Sequence, residues 1–383
     1  MADVSGRAGH YRSAAGEHPS FVPRPLPPEP PLKFDDDILS ILSRADRALG
    51  RLDGASEILP DPELLVFSYV RKEAVLSSQI EGTEASLMDL FEFETRALGP
   101  KHPKDVADVV NYISALKFGL ERIRKGAPIS SGLLKQIHFR LLKDVRGGER
   151  KPGQFRTDQN WIGPPGCSIS DALFIPPAVP DMRSALADLE RFIGGKSKLP
   201  PLIKVGLIHA QFETVHPFLD GNGRMGRLLI TFLLTGEGHI RRPLLYLSHF
   251  FKRFRGKYYD SLQAVRDSGD WEGWIKFFLQ GVSNVSTDAF GKSMKIIALR
   301  EKHRHAVIED MRSRGGGASA LLDALFTRPI IDVKVVQEIT GLTHVAAGEI
   351  VSRFENLGIL EEVTGRHRNR VYHFADYLKL LEA

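Results

Sequence analysis

The chain has 383 residues, of which 42% are hydrophobic and 26% are charged, and its net charge is +5 at pH 7. This composition is typical of a globular protein with two or more domains, and the mild positive charge permits a nucleic-acid partner without requiring one. The single cysteine, Cys167, excludes an internal disulfide and fits a reducing compartment. The longest strongly apolar run, residues 228–234, is too short to span a membrane. Because no basic and apolar leader opens the sequence either, we expect a cytoplasmic protein without a membrane partner.

Residues 1–34 are predicted to be a Pro-rich N-terminal arm. The run VPRPLPPEPP at 22–31 favours polyproline II and excludes a helix or a central strand. Such a run either binds a proline-recognising module or lies extended over the domain surface. We favour the surface arm, because proline-rich leaders commonly act as spacers.

Helical periodicity begins at Asp35, and residues 35–130 are predicted to form an N-terminal helical region. One of its helices should cover about residues 62–82 and end at Gly82. Glu81 then lies at the negative end of the helix dipole, where a carboxylate is disfavoured by up to about 1 kcal/mol. That position indicates a cationic partner. Ser77, one turn earlier, is placed to donate a hydrogen bond to the same carboxylate.

A β-hairpin is predicted after the breaks near Gly153. Residues 154–163 alternate with the period of a strand, and the Gly-Pro-Pro-Gly turn that follows closes them. The return strand should end at about residue 177. We assign no chemistry to Cys167, which lies in the connecting loop.

The stretch HPFLDGNGRMGR, residues 216–227, holds the densest chemistry of the chain. Its second half begins a helix by apolar periodicity, and the free N–H groups at a helix start beside glycines form an anion site. Arg224 and Arg227, at i and i+3, supply planar forks for phosphate oxygens. Asp220 is a hard oxygen ligand for Mg²⁺ carried by a polyphosphate, and His216 suits a general base near neutral pH. These residues indicate transfer of a phosphate ester.

Other phosphate-binding motifs do not fit this stretch. It lacks the Lys-Ser/Thr pair of a P-loop, and a helix rather than a strand precedes it. The run instead resembles the Fic family signature, His-x-Phe-x-Asp/Glu-Gly-Asn-Gly-Arg-x-x-Arg, at every specified position. The resemblance implies a mostly α fold: a Fic helical core at 131–290 that carries a small β-hairpin flap. It also implies transfer of AMP from ATP to a Ser, Thr or Tyr hydroxyl of a target protein, with release of pyrophosphate.

The resemblance assigns roles to individual residues of the signature. His216 would deprotonate the target hydroxyl, Phe218 would anchor the loop in the core, and Asp220 would hold Mg²⁺. Arg224 and Arg227 would bind the distal phosphates. The α-phosphate would be cradled by three consecutive residues, Gly221, Asn222 and Gly223. The related Doc phosphotransferases carry lysine at the position of Gly223, so glycine favours adenylyl over phosphoryl transfer.

Three further segments are assigned by the same resemblance. The pattern Ser77-x-x-x-Glu81-Gly82 resembles the inhibitory helix of Fic proteins, in which Glu81 would pair with Arg227 and deny the γ-phosphate its ligand. The hairpin resembles the Fic flap, which clamps a target segment by main-chain pairing. The flap residues are Asn160, Trp161, Ile162 and Gly163. Two tyrosines, Tyr258 and Tyr259, would lie beside the nucleotide, although a role as core aromatics is equally open.

The C-terminal part is predicted to be a separate unit. Residues 291–317 should form a basic helix and a Gly-rich linker, and residues 318–383 resemble a winged-helix domain. From Ala318 onward seven Lys and Arg face nine Asp and Glu, a net charge of −2. Such a charge is poor for binding phosphates, so we favour protein contact or dimerisation over DNA.

Alternative functions remain open at this point. One is a Fic enzyme that transfers another phosphate-bearing group, and the other is a nucleotide-sensing transcriptional regulator that binds DNA through the winged helix. The sequence also leaves open whether the chain modifies itself and whether it forms a homodimer.

Overall fold

The computed structural model describes residues 6–13, 18–58, 62–95, 105–145, 151–310 and 315–382. Within these ranges the chain is mostly helical, as predicted, with fifteen α-helices and five short β-strands. No helix of the described ranges is long and apolar enough to cross a membrane.

The N-terminal arm contains a β-hairpin that the sequence did not predict. Strand β1 (Gly9–Arg12) pairs antiparallel with β2 (Ser20–Pro23), and Phe21 is buried in the main hydrophobic core. The arm is also clamped by Arg7, which makes a two-pronged ion pair with Glu272 at 2.8 and 3.1 Å. The proline-rich run itself has no helix or strand from residue 24 to residue 31, as predicted, but a folded hairpin precedes it. The buried aromatic side chain precedes most of the prolines, which is why their pattern concealed it.

The N-terminal helical region contains four helices, and a fifth begins the core. They are α1 (Asp36–Ile58), α2 (Pro62–Ile80), α3 (Leu87–Thr95) and α4 (Val106–Arg124), followed by α5 (Ser131–Leu141) in the core. Helix α2 is the predicted 62–82 helix, and Gly82 follows its end with φ +93°, the left-handed conformation in which glycine is favoured. Helix α2 packs on α4 and α8, so its C-terminal end reaches the centre of the molecule.

The core is organised around two central helices, α7 (Pro201–Val215) and α8 (Asn222–Gly236). The helices of this part are α6 (Val179–Gly194), α7 (Pro201–Val215), α8 (Asn222–Gly236), α9 (Ser248–Arg253), α10 (Arg255–Ser268) and α11 (Trp271–Asp310). Every residue of α7 from Leu202 to Val215 is buried, because neighbours surround this helix on all sides. The Trp274 indole donates to the Gly206 carbonyl at 2.8 Å, which ties α11 to α7. The loop between α7 and α8 carries residues 216–221.

The predicted flap hairpin is reduced to a single antiparallel bridge between Ile162 and Phe174. Its physical cause is a shortage of main-chain donors, because the return segment runs into Pro176 and Pro177, which have no N–H group. The side chain of Gln159 donates to the Pro176 carbonyl at 2.9 Å in place of a strand amide. The flap is therefore held by side chains as much as by main-chain pairing.

The C-terminal part differs from the predicted boundaries. Helix α11 runs unbroken across residue 291, and α12 begins at Gly315, so the glycines predicted as a linker start a helix. Residues 311–314 of that linker lie outside the described ranges. The remaining elements are α12 (Gly315–Leu325), β3 (Ile330–Ile331), α13 (Val333–Thr340), α14 (His344–Asn356), β4 (Glu361–Glu362), β5 (Tyr372–His373) and α15 (Ala375–Glu382). The strands form an antiparallel sheet in the order β3-β5-β4. That this unit is a winged helix stays a prediction.

Candidate active site

The loop between α7 and α8 is shaped by two left-handed backbone positions. His216 ends α7 with φ +47° and ψ +60°, and Gly221 precedes α8 with φ +74°. A left-handed conformation is uncommon for a residue with a Cβ, and at His216 it turns the chain abruptly away from α7. The first N–H groups of α8 lack intrahelical acceptors, so the loop presents them together with the His216 side chain.

The side chain of Asn222 makes its hydrogen bonds within the loop between α7 and α8. Its side chain is buried; Oδ1 accepts from the Phe218 amide at 2.9 Å, and Nδ2 donates to the Phe218 carbonyl at 2.8 Å. Both ends of the amide are thus used within the loop. That Asn222 and the backbone around Gly221 and Gly223 cradle the α-phosphate stays a prediction.

Phe218 is fully buried, as predicted for an anchor, and it stacks on a residue that the sequence did not single out. The ring of His138, on α5, lies 3.7 Å from the Phe218 ring at an interplanar angle of 4°. His138 Nδ1 accepts from the Gly153 amide at 2.9 Å, and Nε2 lies 2.9 Å from the Asp220 carbonyl. Burial lowers the pKa of His138 to about 4, so its ring is neutral and links the loop to α5.

The imidazole of His216 is oriented by the end of its own helix. Nδ1 lies 3.3 Å from the Glu213 carbonyl, which places the proton on Nδ1 and leaves Nε2 as the acceptor. Burial, with the nearby charge of Arg266 as the next cause, lowers the pKa of His216 to about 3. The side chain is therefore neutral near pH 7, the form that a general base requires.

A buried arginine joins the flap to the loop between α7 and α8. Arg156 Nε donates to the His216 carbonyl at 3.0 Å, and the guanidinium also donates to the carbonyls of Asp158 and Pro177. The predicted flap residue Asn160 donates to the Phe218 carbonyl at 2.9 Å, so its side chain binds the loop instead of projecting toward a target. Arg156 lies within the strand predicted at 154–163, but its role depends on the carbonyls of His216 and Pro177, which are distant in sequence.

The other flap residues define the outer surface of the site. Trp161 is 41% exposed, and its indole N–H donates to the Cys167 carbonyl at 3.0 Å. Ile162 makes the bridge to the return segment. A Cβ at Gly163 would lie 2.6 Å from the Cys167 sulfur, so the free cysteine fills the space that this glycine leaves. Cys167 thus packs the flap loop.

Arg224 is held by a carboxylate from α4. Its Nη1 lies 2.8 Å from Asp108 Oδ1 and its Nη2 lies 3.8 Å from Asp220 Oδ1, while its Nε has no hydrogen-bond partner among the described residues. Both Arg224 and Asp108 are buried. Burial outweighs the attraction of Arg224 and raises the pKa of Asp108. Nothing in the sequence singled out Asp108, because an acid near a helix start is ordinary.

Arg227 is paired with the end of helix α2. Nη2 lies 2.7 Å from Glu81 Oε1 and 2.9 Å from the Ser77 carbonyl, and Nε donates to Ser77 Oγ at 2.8 Å. Burial opposes both charges, but their mutual attraction outweighs it, lowering the pKa of Glu81 and raising that of Arg227. The sequence predicted that Ser77 would donate to Glu81; its hydroxyl instead accepts from Arg227. Gly82 follows with its left-handed backbone.

Glu81 also covers the start of α8. A Cβ built on Gly223 would lie 2.2 Å from Glu81 Oε1 and 3.0 Å from Arg227 Nη1. The carboxylate thus rests against the helix start, where an anion is favoured by the N–H groups and the dipole. Any side chain at position 223 would displace it.

The two predicted nucleotide tyrosines occupy different environments. Tyr258 is 1% exposed; its hydroxyl lies 2.9 Å from His209 Nε2, and its ring stacks on Phe251 at 4.4 Å. Its burial agrees with the core role that the sequence left open for this residue. Tyr259 is 41% exposed, and the charges of Glu81 and Arg227 both act on the pKa of its hydroxyl, which burial raises. Tyr259 alone of this pair is accessible to a ligand.

Asp220 fits a magnesium ion that also binds phosphate. Its side chain is 35% exposed, and Oδ1 accepts from the Gly221 amide at 2.6 Å. Among the described residues no group of three or more His, Cys, Asp or Glu is arranged to hold a metal. A magnesium ion here would need one carboxylate together with polyphosphate oxygens and water, which is its common coordination in nucleotide sites.

Comparison with known proteins agrees with the signature. The Fic/DOC family model matches residues 128–234, and the Fic/DOC family N-terminal model matches residues 39–121. The chain contains a Fic/DOC domain. Its Fic domain therefore contains α5 to α8 and the loop with His216, and the N-terminal family region contains α2 with Glu81.

Curated relatives are named for one activity. The chain is 29% identical over 251 residues to protein adenylyltransferase Fic of Culex quinquefasciatus, covering 62% of this chain and 47% of that protein. It is 28% identical to the Drosophila melanogaster protein of the same name, covering 51% and 38%. The Fic chain described here thus spans less than half the length of these relatives.

Solved structures share the fold. A Fic family protein from Desulfovibrio desulfuricans G20 matches with a TM-score of 0.58 and 19% identity, covering 90% of this chain and 97% of that one. Fic-1 from C. elegans matches with a TM-score of 0.50 and 20% identity, covering 68% and 73%. The predicted mostly helical Fic fold is confirmed.

Proposed function

We propose that this Fic protein transfers AMP from ATP to a Ser, Thr or Tyr hydroxyl of a target protein and that Glu81 holds this activity low. The observation that carries the proposal is the Glu81–Arg227 pair at the start of α8, beside the neutral imidazole of His216. The names of the relatives support the transferred group. The target protein could include the chain itself.

The reaction follows from the groups around the loop. His216 Nε2 takes the proton of the target hydroxyl, the hydroxyl oxygen forms a bond to the α-phosphorus, and the bond from that phosphorus to the bridging oxygen breaks. Pyrophosphate leaves with the electron pair of that bond. The negative phosphates near His216 raise its pKa on nucleotide binding, because an adjacent anion favours the imidazolium.

Phosphate oxygens are stabilised by the N–H groups of the first turn of α8 and by two arginines. Preorganised donors of this kind usually make the largest contribution to the catalysis of phosphoryl and nucleotidyl transfer. Arg224 is already positioned by Asp108, whereas Arg227 must exchange Glu81 for phosphate. Asp220 would hold Mg²⁺, which when bound neutralises charge on the phosphates.

Inhibition follows from the position of one carboxylate. While Glu81 Oε1 is 2.7 Å from Arg227 and lies over Gly223, the γ-phosphate is denied both its cation and the space above the helix start. Glu81 is a third exposed, so its side chain has solvent on one side.

The products distinguish adenylylation from its alternatives. Glu81→Gly protein incubated with ATP and Mg²⁺ in cell lysate should release pyrophosphate and leave protein heavier by one adenylyl group. Orthophosphate or ADP with a phosphorylated protein would instead assign phosphoryl transfer. No change in any protein mass, with ATP intact, would contradict the proposal.

A further inference from the structure

The N-terminal hairpin lies outside both family regions yet contacts the flap. The family models match residues 39–121 and 128–234, whereas β1 and β2 occupy residues 9–23. The amide of Phe21 donates to the Ile175 carbonyl at 3.0 Å, directly after Phe174, which pairs with Ile162 across the flap. Main-chain hydrogen bonds therefore connect β1 to β2, β2 to the return segment, and the return segment to Ile162.

Side chains reinforce this connection. The Phe21 ring lies 5.9 Å from the Phe174 ring, and the half-exposed Tyr11 ring lies 5.2 Å from Phe21. On β1, a Cβ at Gly9 would come within 2.7 Å of the Phe21 ring, so the ring crosses the strand in close contact. Aromatic pairs at these separations add to the stabilisation from burial alone.

The packing around Phe174 extends, through Arg266, to the last turn of α7. The guanidinium of Arg266 lies 3.9 Å from the centre of the Phe174 ring. The same group donates to Thr214 Oγ1 and to the Glu213 carbonyl, both at 3.2 Å. These residues belong to the last turn before His216. Phe174 is thus packed between Phe21 of the N-terminal hairpin and Arg266 of α10, and Arg266 in turn binds the end of α7.

We infer that the N-terminal hairpin is part of the target-binding platform and that Phe21 is a positioning residue for the flap. The inference rests on the proposed function for its enzymatic consequence. A flap with only one bridge of its own gains little from main-chain pairing, and Phe21 adds a support from outside the flap to those that Arg156 and Asn160 give. The hairpin thereby fixes where a target segment docks relative to His216, while the contacts described for it do not include the nucleotide-binding arginines.

Amide hydrogen exchange on the full chain tests this without any substrate. Phe21→Ala should speed exchange at Ile162, Leu173 and Phe174 by about tenfold or more, because these amides lose their external support. Phe21→Leu should stay close to wild type, since it keeps most of the apolar volume. The matched control is Phe326→Ala, an equally buried phenylalanine in the C-terminal core, which should leave the flap unchanged.

The inference is overturned if the hairpin amides of Phe21→Ala exchange rapidly while the three flap amides keep wild-type rates. Should Phe21→Ala not fold, Tyr11→Ala removes the outer half of the aromatic contact from an exposed position, and no increase in flap exchange there would also contradict it.

A second readout separates positioning from nucleotide binding. In the Glu81→Gly background, Phe21→Ala should lower protein-linked label from α-labelled ATP about tenfold, because a misplaced flap misaligns the hydroxyl. The dissociation constant for ATP should change less than about twofold. If the transferred label and the affinity for ATP fell by the same factor, Phe21 would have only a general role in stability. If Glu81→Gly itself transfers no label, the proposed function fails, and the exchange experiment still decides the role of the hairpin.

Discussion

Glu81 Oε1 lies 2.7 Å from Arg227 Nη2, and the same oxygen would touch any Cβ placed on Gly223. One carboxylate therefore neutralises the arginine that we propose binds phosphate and covers the start of α8, the proposed anion site. Both effects end together when the side chain leaves, because they depend on the same atom. This coupling gives a small side-chain movement a large effect on nucleotide binding.

Asp108 is predicted to matter most in the absence of nucleotide. Asp108→Ala removes the nearer of the two carboxylates beside buried Arg224 and leaves only Asp220 at 3.8 Å, which should lower stability by about 3 kcal/mol. A polyphosphate replaces that charge, so ATP should raise the melting temperature of Asp108→Ala more than that of wild type. Thermal unfolding with and without ATP measures the difference. Asp188→Ala, which breaks an exposed ion pair with Arg191, is the control; identical ATP shifts in all three proteins would argue against the role of Asp108.

Arg156 is predicted to support turnover rather than nucleotide binding. Its guanidinium serves the carbonyls of His216, Asp158 and Pro177 from a buried position. Arg156→Lys keeps the charge but loses the planar fork, and should lower the transfer rate about tenfold or more by misplacing His216. ATP affinity, measured by calorimetry, should be nearly unchanged. A parallel loss of ATP affinity would show that Arg156 acts on the whole fold.

Glu213 gives a pH dependence of stability. Burial raises its pKa from 4.5 to about 7, and its Oε1 has no hydrogen-bond partner among the described residues. Between these pH values the folded protein binds more protons than the unfolded chain, so this group makes stability fall as pH rises. The stability of Glu213→Gln relative to wild type should therefore grow between pH 4.5 and pH 8 by on the order of 3 kcal/mol.

Denaturant unfolding across that pH range measures the effect, with Glu309→Gln on the exposed surface of α11 as the control. The buried neutral histidines act in the opposite direction, since they lose stability as pH falls, but they are common to both proteins and cancel. A difference that stays constant with pH would contradict a raised pKa at Glu213.

The two adjacent tyrosines should respond oppositely. Tyr258→Phe loses the hydrogen bond to His209 and should lower stability by about 1 kcal/mol with unchanged ATP affinity. Tyr259→Ala should weaken ATP binding about fivefold through loss of an exposed ring beside the site, with little change in stability. Calorimetry and thermal unfolding on both variants provide the comparison. Loss of ATP affinity in Tyr258→Phe would restore the sequence-based interpretation.

The predictable part of this protein was its local chemistry. Residues 216–227 identified the loop, and the disfavoured position of Glu81 at a helix end was enough to indicate a cationic partner. The contacts that shape the site were harder to predict from the sequence. His138, Asp108 and Arg156 bind partners far away in sequence, and none lies in an unusual local pattern. Asn222 is a further example, because the motif alone does not tell whether its side chain binds a ligand or the loop itself.

The prediction of secondary structure was least accurate in the proline-rich segments. The run at 22–31 concealed the adjoining β2 and its buried Phe21, and Pro176 and Pro177 reduced the expected flap hairpin to one bridge. At β2 a tertiary contact, the burial of Phe21, decided the outcome, which local periodicity does not record. At the flap the two prolines themselves limited the pairing, because they have no N–H group.

The most direct test of the central claim is transfer of label from α-labelled and, separately, γ-labelled ATP onto protein by wild type, Glu81→Gly, and Glu81→Gly with His216→Ala. The account predicts label from the α-phosphate alone, weak in wild type, strong in Glu81→Gly and absent when His216 is also replaced. Equal label in wild type and Glu81→Gly would contradict inhibition by Glu81, and label from the γ-phosphate, or from neither position, would contradict adenylyl transfer.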